Sequence, residues 1–318
     1  MRPVVYLTKD GFAGGPKSFR DRLRAVLKRA PEIAITNNPN PDKYDVELAF
    51  IRSKNNSKKP TVLRVDGCYY REKDLIKNKD IIKSINRAKH VIFQSEFSAK
   101  MGRKIMGVDP KHWSIIYNGI DQNFIDSIKP DKTVEPGSFV ACSNTWKRRP
   151  NKRAMSTLGG FLKAGTDRHL YLIGKYHNEW KNEIYKHPNI HFCGQKTAKE
   201  VLPIIKACDY QIHLCHIDSC PNAVIEGLAC GLNVLCTNLG GTKEIVGENG
   251  VVLNVDQWDF KPLAEATFAN LDSLSVNDVA EGIHKLLKIT DRANRPDLNI
   301  DKKAKQYIDV LLKVGNGI

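Results

Sequence analysis

Apolar and polar positions along this chain fall into two successive series of short buried runs and amphipathic stretches. In the first series, apolar runs at Val4 to Leu7, Val46 to Ile51, Thr61 to Val65, His90 to Phe93 and Ser114 to Ile116 predict strands. Phe19, Leu23, Val26 and Leu27 recur at helical spacing and predict a helix over about 17–29. A second series starts at Phe139. Its strands are predicted at Phe139 to Cys142, Leu170 to Ile173, Ile190 to Phe192, Tyr210 to Leu214, Val234 to Cys236 and Val251 to Leu253. Thr197 and Glu200 make a capping-box pattern before a helix that ends near Cys208. Leu298 to Val314 predicts the closing helix. Strands that alternate with helices imply parallel sheets covered on both faces, so the fold class is α/β.

Residues 129–138 (KPDKTVEPGS) hold two prolines, a glycine and several charges, the composition of a linker. At 318 residues the chain exceeds one comfortable core. The expected division is a domain over 1–135, a second over 136–297, and a closing helix in 298–318 set against the first domain. Two doubly wound halves would leave a ligand cleft between them.

No apolar run reaches the roughly 18 residues of a membrane helix, and no apolar signal segment follows Met1. Eight cysteines lie mostly in apolar segments without zinc-type pairing, which fits reduced core thiols and a cytoplasmic protein. His213, Cys215, His216 and Cys220 cluster in sequence. Strand alternation sends His216 to the opposite face from His213 and Cys215, and tight ligand spacing is absent, so no metal is expected. The formal net charge is +15, of which residues 1–135 carry +11 and the remainder +4. The first half therefore suits an anionic partner.

The richest stretch is Asp218 to Val246, DSCPNAVIEGLACGLNVLCTNLGGTKEIV. It reads as a strand end, a polar turn, a short helix stopped by Gly231, a second strand, and a Gly240-Gly241-Thr242 turn opening another helix. Asn222 is suited to cap the first of these helices, which would leave the N–H groups of Ala223, Val224 and Ile225 for a diphosphate. Asp218 and Glu226 stand on either side of the turn with seven residues between them.

This stretch resembles the donor-binding signature of glycosyltransferase family 4, although the family usually has Glu where this chain has Asp218. The resemblance implies the GT-B fold, two Rossmann-like doubly wound domains with an interdomain cleft. It implies a retaining transfer from a nucleotide-diphosphate sugar, with no cofactor and no required metal. By resemblance Glu226 would hold ribose hydroxyls, and Asp218 would meet the sugar or the charge developing at its anomeric carbon. The segment Asn144 to Lys152 (NTWKRRPNK) resembles the family's diphosphate clamp, with Lys152 as its lysine and either Lys147 or Arg149 as partner. The loop from Gly11 to Lys17 resembles the family's first loop, where Gly14 and Gly15 would let the backbone approach the donor.

Asp66 follows a central strand and is a candidate for contact with donor sugar or acceptor; a satisfied strand-end carboxylate reads equally well. Asn118 and Gly119 suit a turn. Lys17, Arg20 and Arg24 on the first helix, with Lys54, Lys58 and Lys59 in a loop, form the candidate acceptor or polyanion surface. A saccharide or lipid-linked glycan is the first expectation for the acceptor, with docking at a membrane surface as a corollary. A hydroxylated base in DNA is the second, because a substituent on a pyrimidine projects into the major groove. A non-catalytic nucleic-acid-binding protein on a degenerate transferase fold is the reading from another class.

Overall fold

The computed structural model describes residues 2–8, 14–53 and 57–317, with Glu183 and Ile184 described by their backbone alone. It divides into two compact units, 1–121 with 259–263 and 297–318, and 122–258 with 264–296.

The first unit holds a six-stranded parallel sheet. Its strands are β1 (Val4–Leu7), β2 (Ala34–Thr36), β3 (Val46–Phe50), β4 (Thr61–Val65), β5 (His90–Phe93) and β6 (Trp113–Ile115), in the order β2-β1-β3-β4-β5-β6. Alternation along the central strands serves two cores. Val46, Leu48 and Phe50 face α1 (Gly15–Leu27) and the closing helix, whereas Ala49, Leu63 and Val65 face α2 (Asn78–Arg87) and α3 (Glu96–Met106). Phe19, Leu23 and Leu27 of α1 are fully buried, so the helical stripe read from sequence is the core-facing one.

β2 was not anticipated. Its three residues, Ala-Ile-Thr, are too few to show alternation, and pairing with β1 makes them a strand. β3 stops one residue early because Ile51 adopts a left-handed conformation, φ 64°, which turns the chain out of the sheet. Gly119 serves a close approach and not a positive-φ turn: a Cβ there would lie 2.9 Å from the Ile300 Cα. Residues 259–263 pair beside Arg71, with Leu263 N–H donating to Tyr70 O at 2.8 Å.

The second unit begins with α4 (Gln122–Ser127), so the contact boundary follows Asp121 and not residue 135. Gln122 Nε2 donates to Ala229 O at 3.0 Å, and Lys206 Nζ donates to Ile125 O at 2.6 Å, which ties α4 down. Six parallel strands follow: β7 (Phe139–Thr145), β8 (Leu170–Lys175), β9 (Ile190–Gly194), β10 (Tyr210–His213), β11 (Asn233–Thr237) and β12 (Gly250–Leu253). Their order is β12-β11-β10-β7-β8-β9. The helices are α5 (Ala154–Ala164), α6 (Ala198–Ala207), α7 (Asn222–Ala229), α8 (Thr242–Val246), α9 (Glu265–Ala269) and α10 (Val276–Leu286). α5 and α10 cover one face, with Phe139, Leu158, Leu172, Ile212, Val279 and Ile283 at its core. α7 packs against β10 and β11. At α6 the Thr197 N–H donates to the Glu200 carboxylate at 2.8 Å, and the helix ends at Ala207.

The last helix, α11 (Ile300–Gly315), returns to the first unit, where Tyr307 and Leu311 join the core shared with α1. Strand order reverses direction between β7 and β10 in the second sheet. Open α/β sheets bind ligands outside the carboxyl ends of such strands.

Candidate active site

The loop after β7 carries the basic segment. Trp146 anchors it, buried to 5% exposure, with Nε1 donating to Ile173 O at 2.9 Å and its backbone N–H to Lys175 O at 2.8 Å. Two non-glycine residues there, Arg148 (φ 53°) and Arg153 (φ 55°), sit in the left-handed region, a costly arrangement that only surrounding contacts hold in place. Arg153 has those contacts. Its buried guanidinium donates to Leu271 O at 2.9 Å and Leu214 O at 3.3 Å, and lies 3.2 Å from His216 Nδ1. The loop is also tied to the end of β10, with His216 N–H donating to Asn151 O at 2.7 Å. The outcome is a fixed Lys152, which reaches across the switch point to Asp218.

Lys152 Nζ donates to Asp218 Oδ2 at 3.0 Å. Burial opposes the ammonium, but the charges of Asp218 and Cys215 hold its pKa above the ordinary lysine value. Burial likewise works to raise the Asp218 carboxyl, and Lys152, His213 and the Cys220 N–H outweigh it, so the carboxyl lies below its usual range. The site therefore keeps a charged pair in place. Lys147 and Arg149, by contrast, are exposed, and neither makes a side-chain ion pair or hydrogen bond among the described residues.

α7 begins one residue earlier than a helix capped by Asn222 would. Pro221 is the N-cap, in an extended conformation, and Asn222 is the first helical residue. The N–H groups of Val224 and Ile225 both donate to Pro221 O, at 3.1 and 3.2 Å. That corrects the expectation for these two: Ala223 stands at the tip of the helix, with Val224 buried beneath. Glu226 lies one turn on, half-buried, and its charge adds to burial in pushing the Cys142 thiol of β7 well up.

Two glycines fix this geometry. A Cβ at Gly227 would lie 2.2 Å from Gln211 Oε1. Gln211, fully buried in the middle of β10, also donates Nε2 to Ala223 O at 3.0 Å. This amide joins the strand to the first turn of α7. At Gly240 (φ 91°), a Cβ would lie 2.9 Å from Asp218 O, and the Gly241 N–H donates to that same oxygen at 2.9 Å. The Gly-Gly turn before α8 therefore clamps the backbone of Asp218 and sets its carboxylate toward Lys152. Sequence reading missed Gln211 and Arg153 as positioning residues. Gln211 had a signal, a polar side chain inside an apolar strand; Arg153 had none within a run of cations.

His213 and His216 are each held neutral, with pKa values near 4. Burial is the main cause for both, followed by the charge of Lys152 for His213 and of Arg153 for His216. The potential ligand atoms of His213, Cys215 and Asp218 lie within 4.8 Å of one another, the one such trio among the described residues. His216 is engaged with Arg153 instead. The Lys152 ammonium already stands against Asp218 and Cys215, so a cation is present at that group without a metal.

In the first unit, Gly14 is the N-cap of α1 with φ 73°, Gly15 is the first helical residue, and Gly14 O accepts the Ser18 N–H at 3.0 Å. Asp66 follows the carboxyl end of β4 and pairs with Arg64. The Arg64 side chain is fully buried, donates to Asn118 Oδ1, and lies over the rings of Phe19 (4.4 Å) and Phe50 (5.5 Å). The cations of α1 have local partners: Lys17 pairs with Asp21 at 2.7 Å, Arg20 with Asp21 at 3.2 Å, and Arg24 donates to Asn37 Oδ1 at 2.9 Å. Lys58 and Lys59 precede β4, at the opposite edge of the sheet from Asp66. Gly11 and Lys54 lie outside the described residues.

No curated protein matches the sequence closely enough to count as a relative. Two family profiles match it. Glycosyltransferase Family 4 matches residues 2–124, and Glycosyl transferases group 1 matches residues 153–272. Among solved structures, sucrose-phosphate synthase from Thermosynechococcus elongatus is similar over 100% of both chains, with 13% identity and a TM-score of 0.65. Anabaena Alr3699/HepE, in complex with UDP and glucose, is similar over 98% of this chain and 100% of its own, with 14% identity and a TM-score of 0.64. WaaG, a glycosyltransferase involved in lipopolysaccharide biosynthesis, is similar over 99% of this chain and 98% of its own, with 14% identity and a TM-score of 0.55. At such identities the likeness is one of fold. With one profile over the first sheet and the other over most of the second, the chain belongs to glycosyltransferase family 4 and is a glycosyltransferase of GT-B fold.

Proposed function

We propose that this enzyme moves a sugar, with retention at the anomeric carbon, from a nucleotide-diphosphate donor to a hydroxyl of a saccharide or lipid-linked glycan. The observation that carries the donor assignment is the Lys152–Asp218 pair beside the tip of α7, outside the carboxyl ends of β7 and β10. A diphosphate entering there exchanges its charge for that of Asp218 at the Lys152 ammonium, and the first turn of α7, with the Ala223 amide, adds the positive end of a helix. Asp218 is then released to accept sugar hydroxyls, and Glu226 to accept those of the ribose. HepE, crystallised with UDP-glucose, supports a uridine nucleotide as the first donor to try. WaaG, by its part in lipopolysaccharide biosynthesis, supports a glycan acceptor.

In the reaction the bond between the anomeric carbon and the donor phosphate oxygen breaks, and its electron pair stays with the diphosphate. The acceptor oxygen bonds to that carbon on the same face, and its proton passes to the departing phosphate oxygen. The protein's part is electrostatic. Lys152 and the helix tip stabilise charge that grows as the bond breaks, an effect on the order of 3 kcal/mol per well-placed donor. No metal is assigned to this step.

A second acceptor reading, a hydroxylated base in DNA, is favoured by the +11 charge of residues 1–135. The pairing of Lys17 and Arg20 with Asp21 weakens α1 as a phosphate-binding face. Label transfer from radioactive nucleotide sugars into lipid extract, polysaccharide and hydroxymethylated DNA tests both. The glycan reading expects label in the first two, and label in DNA alone would reverse the ranking. Glu226→Ala is expected to abolish transfer while the circular dichroism spectrum stays unchanged. Undiminished turnover in that variant would remove Glu226 from the donor site.

A further inference from the structure

A concavity of about 640 Å³ opens in the first unit among six cationic side chains. Lys58 and Lys59 come from the segment leading into β4, Lys89 immediately precedes β5, Lys83 and Arg87 stand one turn apart on α2, and Arg52 comes from the loop after β3. Asp80 is the single carboxylate lining it among the described residues, and it pairs with Arg52 at 3.1 Å.

The walls are tied together from below. The left-handed Ile51 sends the chain back along α2, where Ser53 N–H donates to Ser84 Oγ at 3.1 Å. Glu47, 1% exposed in β3, accepts the Ser53 hydroxyl at 3.0 Å and the Thr61 hydroxyl at 2.9 Å. One buried carboxylate thus joins Ser53, after β3, to Thr61 at the start of β4. Even with Glu47 and Asp80 counted, positive charge is in excess. Like charges one turn apart on α2 weaken that helix, and a multivalent anion between them would relieve the repulsion.

The position is as informative as the charge. Asp66 follows the carboxyl end of β4, whereas this concavity lies at the amino end of the same strand. Reacting ligands in open α/β sheets bind at carboxyl ends, so this place is separate from the chemistry. Its volume falls within the roughly 300–1,000 Å³ of small-molecule sites. Guanidinium forks and ammonium groups together are a donor set suited to phosphate groups.

We infer that this concavity is a second anion site, which takes a compact phosphorylated molecule apart from the donor. Inorganic pyrophosphate is the probe, titrated calorimetrically into the full chain. Wild type is expected to bind it at two sites and Lys152→Ala at one. Adding either Lys83→Glu with Arg87→Glu, or Lys58→Glu with Lys59→Glu, to Lys152→Ala is expected to weaken the remaining site by about tenfold or more. The second pair lies in a loop, so it reports even if reversal on α2 prevents folding. Absence of binding to Lys152→Ala, or binding indifferent to the loop reversal, overturns the inference. Binding of phosphatidic acid vesicles or of a short DNA duplex that depends on Lys58 and Lys59, without pyrophosphate binding, overturns it in favour of a macromolecular anion. If wild type and Lys152→Ala bind pyrophosphate identically at one charge-reversible site, the donor assignment fails while this site stands.

Discussion

His213 and His216 are bases buried in neutral form beside Lys152 and Arg153, with pKa values near 4 against an ordinary 6.5. A base whose pKa falls on folding leaves the unfolded chain as the better proton acceptor between those values. The stability they contribute is therefore complete above about pH 6.5 and is lost as pH falls toward 4. At roughly 1.4 kcal/mol per unit, each costs on the order of 3 kcal/mol over that window. The lowered Asp218 carboxyl adds its own loss only at lower pH. Urea midpoints measured from pH 7 to 4.5 should fall steeply, and His213→Gln should make the decline shallower by one proton. An unchanged slope would mean that His213 titrates in both states alike. At Asp66 the fully buried Arg64 decides the matter. Asp66→Ala leaves that guanidinium without its carboxylate, so a loss of about 3–5 kcal/mol is expected from denaturant unfolding. Wild-type stability with lost turnover would instead put Asp66 in the chemistry.

At the scale of elements, the junction of β10 with α7 depends on the absence of one methyl group. Gly→Ala in a helix ordinarily gains about 0.5–1 kcal/mol. Gly227→Ala should cost about 1–3 kcal/mol here, because the new Cβ displaces the Gln211 amide from Ala223 O. In a Gln211→Ala background that penalty should largely vanish, a coupling read by a double-mutant cycle; equal costs in both backgrounds would mean the amide is not what meets the methyl. Elements whose apolar period is complete were legible in the sequence. β1, β4 and β5 have the expected bounds, and α1 buries the expected stripe. β2 was not legible, since only its neighbour makes Ala34–Thr36 a strand. Nor was the end of β3, where the left-handed Ile51 carries no compositional mark. In the candidate site, the Asp218 and Glu226 spacing marked the turn that precedes α7, and Lys152 meets Asp218 there. The start of α7 was off by one because a proline can cap as its extended backbone allows, whereas side-chain preference favoured Asn222. The clamp of Gly240 and Gly241 on Asp218 is a contact between separate turns, which no local pattern records.

For the molecule as a whole, charge and topology assign different work to different sheets. The second sheet reverses its strand order at β7 and β10, and the side chains held there are Lys152, Asp218 and Glu226. The first unit gathers six of its cations at the amino ends of β4 and β5, around a concavity whose walls are joined by hydrogen bonds to Glu47. Among the described residues no helix is long and apolar enough to cross a membrane. The central claim is that the second unit grips a nucleoside diphosphate through Lys152 and the tip of α7. Calorimetric titration of UDP, GDP, ADP and dTDP into wild type and Lys152→Ala tests it most directly. At least one nucleotide should bind wild type with one-to-one stoichiometry and bind Lys152→Ala about tenfold or more weakly. Equal affinity in the two proteins, or no binding of any of the four to wild type, would contradict it.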